Sequence, residues 1–368
     1  MLKLYLLLVL GFFTYSYGFT DFNLTLSSNP QILEFIAWAR TLSVFDRELG
    51  VKIYLGLVSA AFFIYVSRAL ILPTLKTFPW KIIIFVAVIS SLAYPFLSSD
   101  IFKYLFTGKI VAFYRSSPYA FAPDHFADDL WLRFMRWVHT PTPYGPVMTA
   151  LGTLYYLAGM GRFTPALYLY KLDQVFWYLL SVWLIGKLSN QHSSVKNMLF
   201  FALNPLVIVE WLINSHNDAA MITLLLLALY LLRNKRKVLS LISLFLSIGI
   251  KYATVLALPL FFLKRKISPS ISHIYLLLSF FLAPLLYNYS TQYQPWYITW
   301  ILPFATLSGS AEVKWISAAY SLGGLLRYLP FISTGLWQAS PAQFAALTFA
   351  PPIFVLLLGS LWHRTRST

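Results

Sequence analysis

Carboxylates are scarce in this sequence, and the position of one of them points to chemistry at a membrane surface. The chain has only 12 Asp and Glu residues among 368, and an acidic side chain near a bilayer requires either a partner or a function. Asp100 closes the sequence Leu97-Ser98-Ser99-Asp100 after an apolar segment, where its carboxylate can face an aqueous cleft. Alternatively, Asp100 only caps the helix predicted for residues 101–113, because Asp is favoured as an N-cap.

The residues after Asp100 are rich in polar and special side chains. They include Tyr104, Gly108, Lys109, Ser117-Pro118-Tyr119, Asp124, His139 and Thr142-Pro143-Tyr144-Gly145-Pro146. A passive connector seldom needs such residues, so residues 98–144 are predicted to form a functional outer loop.

Part of this loop also has amphipathic periodicity. Within residues 127–140, a helix would place Leu130, Trp131, Phe134 and Val138 opposite Asp128, Arg133 and Arg136. This pattern predicts an interfacial helix, which could admit a lipid tail from the side. An ordinary amphipathic cover is the alternative.

A second polar concentration comprises Asn204-Pro205, Glu210 and His216-Asn217-Asp218. These residues could face the same cleft as Asp100, or Glu210 and Asp218 could be structural groups bonded to neighbouring helices. The His-x-Asp spacing is nonspecific for metal binding, so a divalent metal stays open and no cofactor is firmly implied.

Two further features lie at predicted membrane boundaries. Lys251-Tyr252 interrupts an apolar stretch, where an ammonium must find an anion, snorkel or line water; a lipid phosphate would be a suitable partner. Trp296 lies in Gln294-Pro295-Trp296-Tyr297, which is read either as a sugar-stacking segment or as an interfacial aromatic belt.

The elements that must position these residues are transmembrane helices. The chain is 59% apolar and 11% charged, and its apolar runs of roughly 15 to 25 residues can cross a bilayer. The net charge of +16 comes mainly from short basic clusters between those runs, such as Arg233 to Lys237 and Lys264 to Lys266. This positive-inside pattern argues against a nucleic-acid partner.

Loop charge predicts ten full spans plus two irregular hairpins, so we expect a bundle of about 10 to 13 transmembrane helices. No domain boundary stands out, which indicates a single membrane-embedded domain, residues 1–368. The first segment is either a spanning helix or a signal peptide, and the absence of a small-x-small cleavage pattern favours the helix. The Asp100 loop is expected outside and the basic cluster Arg233 to Lys237 inside, so an odd number of crossings must separate them. Four apolar segments lie between the two, and one of them therefore cannot cross fully. We expect a re-entrant element at residues 197–218, since Asn204-Pro205 interrupts it. Residues 238–263 are expected to break around Gly249 to Tyr252.

These residues resemble integral-membrane glycosyltransferases of the GT-C type, especially glycosyltransferase family 87 and the related polyprenyl-phosphate-mannose-dependent mannosyltransferases. The likeness is collinear over about residues 80 to 305. It runs through Ser99-Asp100, Tyr104, Gly108, Ser117-Pro118-Tyr119, Tyr144-Gly145-Pro146, Asn204-Pro205, His216-Asn217-Asp218, Lys251-Tyr252 and Pro295-Trp296-Tyr297. The family usually has Asn-Pro-Tyr in place of Ser117-Pro118-Tyr119 and Tyr-Pro-Pro in place of Tyr144-Gly145-Pro146, and these departures bear on the sugar and acceptor.

The resemblance implies an all-α polytopic GT-C-like bundle that transfers a hexose, expected to be mannose. The donor would be a polyprenyl-phosphate sugar, and the acceptor a glycan or glycolipid. The expected location is a bacterial-type cytoplasmic membrane with the active site on the outer face.

Asp100 inherits the role of catalytic base from this resemblance. A phosphate leaving group needs no protonating acid, so one carboxylate can suffice and the anomeric configuration would invert. The predicted substrate-binding residues are Tyr104, Tyr119, Tyr144, His216, Asn217, Asp218, Lys251, Tyr252 and Trp296. Lys251 or an Arg or Lys of the loop would hold the phosphate.

A polyprenyl-lipid or small-solute transporter, or a flippase, is the alternative function. It too would show broken helices and buried polar groups. It predicts polar residues spread through the bilayer midplane and two related halves, whereas here they gather at one face and no repeat is visible. A noncatalytic membrane subunit is a third possibility.

Overall fold

The computed structural model describes residues 1–21, 29–72, 75–262, 269–286 and 293–367, and these residues form helices and turns without a β-strand. The helices are α1 (Leu2–Tyr17), α2 (Pro30–Thr41), α3 (Arg47–Val66), α4 (Trp80–Leu92), α5 (Asp100–Ala112), α6 (Pro146–Ala158), α7 (Phe163–Leu188), α8 (Ser194–Ala202), α9 (Pro205–Val207), α10 (Asp218–Arg233), α11 (Lys237–Ile250), α12 (Leu258–Phe262), α13 (Pro269–Leu286), α14 (Ile298–Leu307), α15 (Ala311–Leu326), α16 (Leu329–Thr334) and α17 (Pro341–Ser367).

The chain is an all-α polytopic membrane protein. By length and composition, three described helical segments can each cross a bilayer, namely Arg47–Ile71, Pro269–Leu286 and Pro341–Ser360. Several shorter apolar helices accompany them. The predicted all-α polytopic class is confirmed, whereas the expected number of crossings stays a prediction.

The interruption expected at Asn204-Pro205 is confirmed. Helical segments Gln191–Ala202 and Pro205–Ile213 meet there at 52°, a bend that fits either a broken span or a re-entrant loop. The Asn204 side chain accepts from the backbone N–H groups of Leu206 and Val207, so it caps the second segment. That segment continues into a π-helical turn, Ile208–Ile213. Whether residues 197–218 are re-entrant stays a prediction.

The break expected around Gly249 to Tyr252 is also present. α11 ends at Ile250, Lys251 is extended with φ −151° and ψ 125°, and a 3-10 turn begins at Tyr252. The Gly145 N–H donates to Ile250 O at 3.1 Å. A Cβ at Gly145 would lie 2.3 Å from Gly249 O, so these two segments of the chain can approach only because residue 145 is glycine. The basic cluster Lys264 to Lys266 lies outside the described residues.

The amphipathic helix expected over residues 127–140 is wrong. This region contains only the short 3-10 turn Leu130–Phe134, preceded by another at Pro123–Phe126. The Asp129 carboxylate explains the early turn, because it caps the Trp131 N–H at 2.9 Å and also pairs with the Lys109 ammonium at 2.5 Å. Leu130 is 81% exposed whereas Trp131 is buried, so they do not share one apolar face.

The helices nearest the polar loops pack closely. α5 lies against α6, and α7 contacts α4, α6, α8 and α10. A Cβ at Gly108 would lie 2.1 Å from Gly152 O, so the α5–α6 crossing depends on a glycine. This crossing fixes α5 and therefore the position of Asp100 at its first residue.

Candidate active site

Asp100 is the first residue of α5, and its side chain does not cap that helix. Ser99 holds the N-cap position, and the Asp100 N–H donates to Ser98 Oγ at 3.2 Å. The Asp100 carboxylate instead lies 3.5 Å from the Tyr144 hydroxyl. The residue is 7% exposed, so its carboxylate lies in a largely enclosed pocket.

The structure brings the second polar concentration to Asp100. His216, Asn217 and Asp218 are all fully buried. His216 Nδ1 lies 3.8 Å from Asp100 Oδ2. The Tyr104 hydroxyl lies 3.4 Å from both His216 Nδ1 and Asn217 Oδ1. The two predicted groups of polar residues therefore form one cluster.

Glu210 lies behind His216. Its Oε2 is 3.3 Å from His216 Nε2, although the two atoms form no aligned hydrogen bond. The carboxylate accepts from the Tyr328 hydroxyl at 2.7 Å and from Asn214 Nδ2 at 3.1 Å. Trp296 stacks on the His216 ring with centroids 4.1 Å apart. Glu210 thus lies at the edge of the imidazole, and Trp296 covers its face.

Lys251 already has an anion inside the protein. Its ammonium lies 3.0 Å from Asp218 Oδ1, which also accepts from the Trp300 indole N–H. The ammonium lies 5.1 Å from the centroid of the Trp300 ring as well. Asp218 therefore acts as the counter-ion of Lys251, a role that sequence reasoning did not assign to it.

Lys171 supports the loop that carries His216. Its ammonium donates to Ile213 O at 2.6 Å, to Leu212 O at 3.2 Å and to Ser215 Oγ at 3.0 Å. Ser215 has a positive φ of 61°, which is uncommon for a residue with a Cβ. The ammonium satisfies carbonyls left open at the end of the π-helical turn and so holds the loop in place.

A cavity of about 380 Å³ opens in front of Asp100. Its wall comprises Leu97, Ser98, Ser99, Asp100, Arg136, Trp137, His139, Gln294, Pro295, Trp296, Arg327, Trp337 and Phe344. This volume falls within the range of small-molecule sites, and its mixture of aromatic and charged groups is typical of them. Arg327 and Trp337 lie beyond the motifs that sequence reasoning used, so no local signal identified them.

A comparison with protein families identifies the family of the chain. The family described as alpha-(1->6)-mannopyranosyltransferase, N-terminal domain, matches residues 23–265, about two thirds of the chain. The chain belongs to this family. No curated protein and no solved structure shows significant similarity to this chain.

The match confirms the predicted resemblance to GT-C mannosyltransferases and mannose transfer as the activity of the family. Asp100, His216 and Lys251 lie within the matched region of this mannosyltransferase. Trp296, Arg327 and Tyr328 come later in the chain. The cavity is therefore built from the matched region together with the segment C-terminal to it.

Electrostatics in the mannosyltransferase leave Asp100 able to accept a proton. Burial raises its pKa to about 6, and the nearby Asp218 adds to the rise, whereas the Lys251 charge opposes it. Burial lowers the pKa of His216 well below its usual value, and the Lys251 charge lowers it further. At neutral pH the pocket thus contains an ionised Asp100 next to a neutral imidazole.

Two predicted binding residues do not contact this cluster in the described part of the mannosyltransferase. The Tyr119 hydroxyl lies 2.9 Å from Thr149 Oγ1, and the residue is 46% exposed. Tyr252 is 54% exposed and directly follows Lys251, where the helix is interrupted. A role for either in binding stays a prediction.

The described residues contain no group of three or more His, Cys, Asp and Glu side chains that could hold a metal ion. In the His216-x-Asp218 pair, Asp218 is engaged by Lys251 and Trp300.

Proposed function

We propose that this mannosyltransferase transfers mannose from a polyprenyl-phosphate-linked donor to a glycan or glycolipid acceptor at the non-cytoplasmic membrane face. The observation that carries the proposal is the Asp100 carboxylate in the wall of an aromatic, cation-containing cavity. A carboxylate with a pKa near 6 is ionised at neutral pH and basic enough to assist deprotonation of a hydroxyl.

The proposed reaction is a single displacement. Asp100 accepts the proton of the acceptor hydroxyl as that oxygen attacks the anomeric carbon of mannose. The bond between the anomeric carbon and the phosphate oxygen breaks, and its electron pair leaves with the phosphate. Because the attack comes from the side opposite the leaving group, the configuration at the anomeric carbon inverts. No protonating acid is needed, since the phosphate departs as a stable anion.

The residues around Asp100 have distinct parts in this proposal. Tyr144 donates to the carboxylate and orients it, and Tyr104 holds His216 and Asn217 beside it. The neutral His216 can accept a hydrogen bond from Asp100 once that carboxyl is protonated. Trp296 lies at the boundary between His216 and the cavity, where its ring can contact the sugar.

The experiment is a transfer assay with purified protein in lipid nanodiscs. Radiolabelled polyprenyl-phosphate mannose is offered with a panel of mannoside acceptors, and a nucleotide-linked mannose is offered in parallel. We expect transfer from the lipid donor alone, giving a product whose anomeric configuration is opposite to that of the donor. Transfer from the nucleotide sugar alone, or a product of retained configuration, would contradict the proposal.

The same protein in sealed vesicles separates the transferase from the alternative flippase. A flippase moves the labelled lipid between leaflets without forming a glycosidic bond. Lipid movement with no mannosylated product, under conditions where acceptor is present on both sides, would replace the transferase proposal.

A further inference from the structure

Two guanidinium groups line the cavity together with Asp100. Arg136 comes from the predicted outer loop, and Arg327 lies directly after α15, almost 200 residues later in the chain. Both side chains and the Asp100 carboxylate belong to the wall of the same cavity. Arg327 is 8% exposed, so its charge has been largely removed from bulk water.

Aromatic rings hold both guanidiniums in place. Arg136 Cζ lies 4.7 Å from the centroid of the Trp337 ring and 5.4 Å from that of Phe331. Arg327 Cζ lies 4.2 Å from the centroid of the Phe344 ring, and its Nη1 donates to Thr348 Oγ1 at 3.4 Å. Stacking on a ring leaves the edge donors of a guanidinium available for an anion.

Neither guanidinium forms an ion pair with a carboxylate of the described chain. Other cations in this region do. Lys109 pairs with Asp129, Lys251 with Asp218, and Arg133 with Asp21 at 2.9 Å. Burial lowers the pKa of Arg136 to about 10, the direction expected for a cation that has lost water without gaining an anion. The cavity is therefore prepared for a negatively charged ligand.

We propose that Arg136 and Arg327 bind the phosphate of the lipid-linked donor and stabilise it as the leaving group. This inference rests on the proposed function. The donor is a phosphodiester with one negative charge, and the departing lipid phosphate gains a second as the glycosidic bond breaks. Two guanidiniums interact more strongly with the developing charge than with the donor, so they favour the transition state. Lys251 is less suited to this role because Asp218 neutralises it.

The test is equilibrium binding of radiolabelled farnesyl phosphate to the full-length protein in nanodiscs of zwitterionic lipid. The variants are Arg136→Gln and Arg327→Gln. Arg133→Gln is the matched control, because Arg133 lies three positions from Arg136 yet pairs with Asp21 outside the cavity wall. Each cavity variant should bind roughly tenfold more weakly or worse, the effect of losing hydrogen bonds to a charged group, while the control binds normally. Binding of both cavity variants within twofold of the wild type would overturn the inference.

Wild-type protein gives a second readout that does not depend on folding of the variants. Farnesyl phosphate should raise the unfolding temperature and farnesol, which lacks the phosphate, should not. Equal stabilisation by both ligands would also overturn the inference. Inorganic phosphate, added as a competitor, should displace farnesyl phosphate if the guanidiniums recognise the phosphate group. Failure to compete at any concentration would contradict phosphate binding by the two arginines.

The two proposals fail in different ways. Arginine-dependent binding of farnesyl phosphate without transfer from polyprenyl-phosphate mannose would retain the phosphate site and reject the proposed reaction. Normal transfer and normal binding by both arginine variants would retain the reaction and reject the phosphate site.

Discussion

His216 Nε2 lies 3.3 Å from Glu210 Oε2, with both side chains fully buried. A neutral imidazole has one N–H and one lone pair. No aligned hydrogen bond joins Nε2 to Glu210, but the negative charge of an ionised Glu210 at this distance favours the tautomer with the proton on Nε2. Nδ1 then presents its lone pair to the Tyr104 hydroxyl and to Asp100. In the proposed reaction, His216 accepts a hydrogen bond from Asp100 after Asp100 has taken the acceptor proton, which requires the two atoms to come closer than their present 3.8 Å.

Replacing Glu210 with Gln should therefore slow catalysis more than it weakens binding. The amide no longer favours the required imidazole tautomer, and the protonated Asp100 loses its acceptor. We expect kcat to fall roughly tenfold, equivalent to about 1.4 kcal/mol in the barrier, with KM nearly unchanged. Glu34→Gln, at an exposed position of α2, is the control. Steady-state kinetics showing an unchanged kcat for Glu210→Gln would exclude this role.

The Lys251–Asp218 pair should behave as one unit in stability. Lys251→Met leaves the fully buried Asp218 carboxylate without its cation, and Asp218→Asn leaves the ammonium without its anion. Each single variant should lose stability, by roughly 3 kcal/mol for a buried pair with one partner removed, and the double variant should recover part of the loss. Thermal unfolding of all four proteins gives the coupling. Additive losses would show that the two side chains act independently.

Activity should fall at low pH with a limb set by Asp100. The proposed base is active only when ionised, so kcat/KM should decrease tenfold per pH unit below the carboxyl pKa of about 6 and level off above it. Because the Lys251 charge lowers that pKa, Lys251→Met should move the limb to higher pH. A limb that stays in place in this variant would show that another group titrates.

The α5–α6 crossing should not tolerate a side chain at Gly108. A Cβ there would lie 2.1 Å from Gly152 O, a backbone atom that cannot rotate away. Gly108→Ala should cost about 1–3 kcal/mol by overpacking and displace the helix that begins at Asp100. Gly56→Ala in α3 is the matched control, because a Cβ at Gly56 would meet nothing within 4 Å. Similar unfolding temperatures for the two variants would contradict the close crossing.

Sequence patterns predicted the parts of the fold that depend on local chemistry. Asn204-Pro205 predicted an interruption of the helix because proline removes a backbone donor. The structure shows that bend, and the Asn204 side chain also caps the helical segment that follows it. Of the two alternatives for the second polar concentration, a cleft shared with Asp100 agrees with the structure, in which His216 Nδ1 lies 3.8 Å from Asp100 Oδ2.

The other parts of the site depend on contacts between distant segments. Tyr328 reaches Glu210 across 118 residues, and Arg327 shares a cavity with Arg136, without a local pattern that indicates either contact. The helix predicted over residues 127–140 fails for a related reason. Its periodicity was amphipathic, but Asp129 is fixed by Lys109 of α5 and by Tyr114 in the turn after α5. Tertiary contacts there prevail over the local pattern.

Mannose transfer by Asp100→Asn protein tests the central claim most directly. This change preserves the shape of the side chain but removes its basicity, and Asp124→Asn in the same loop controls for loss of a carboxylate elsewhere. With polyprenyl-phosphate mannose as donor, we predict that Asp100→Asn loses at least about 99% of kcat, as expected for removal of a general base, while Asp124→Asn transfers normally. Near-normal transfer by a folded Asp100→Asn protein would contradict the assignment of Asp100 as the base.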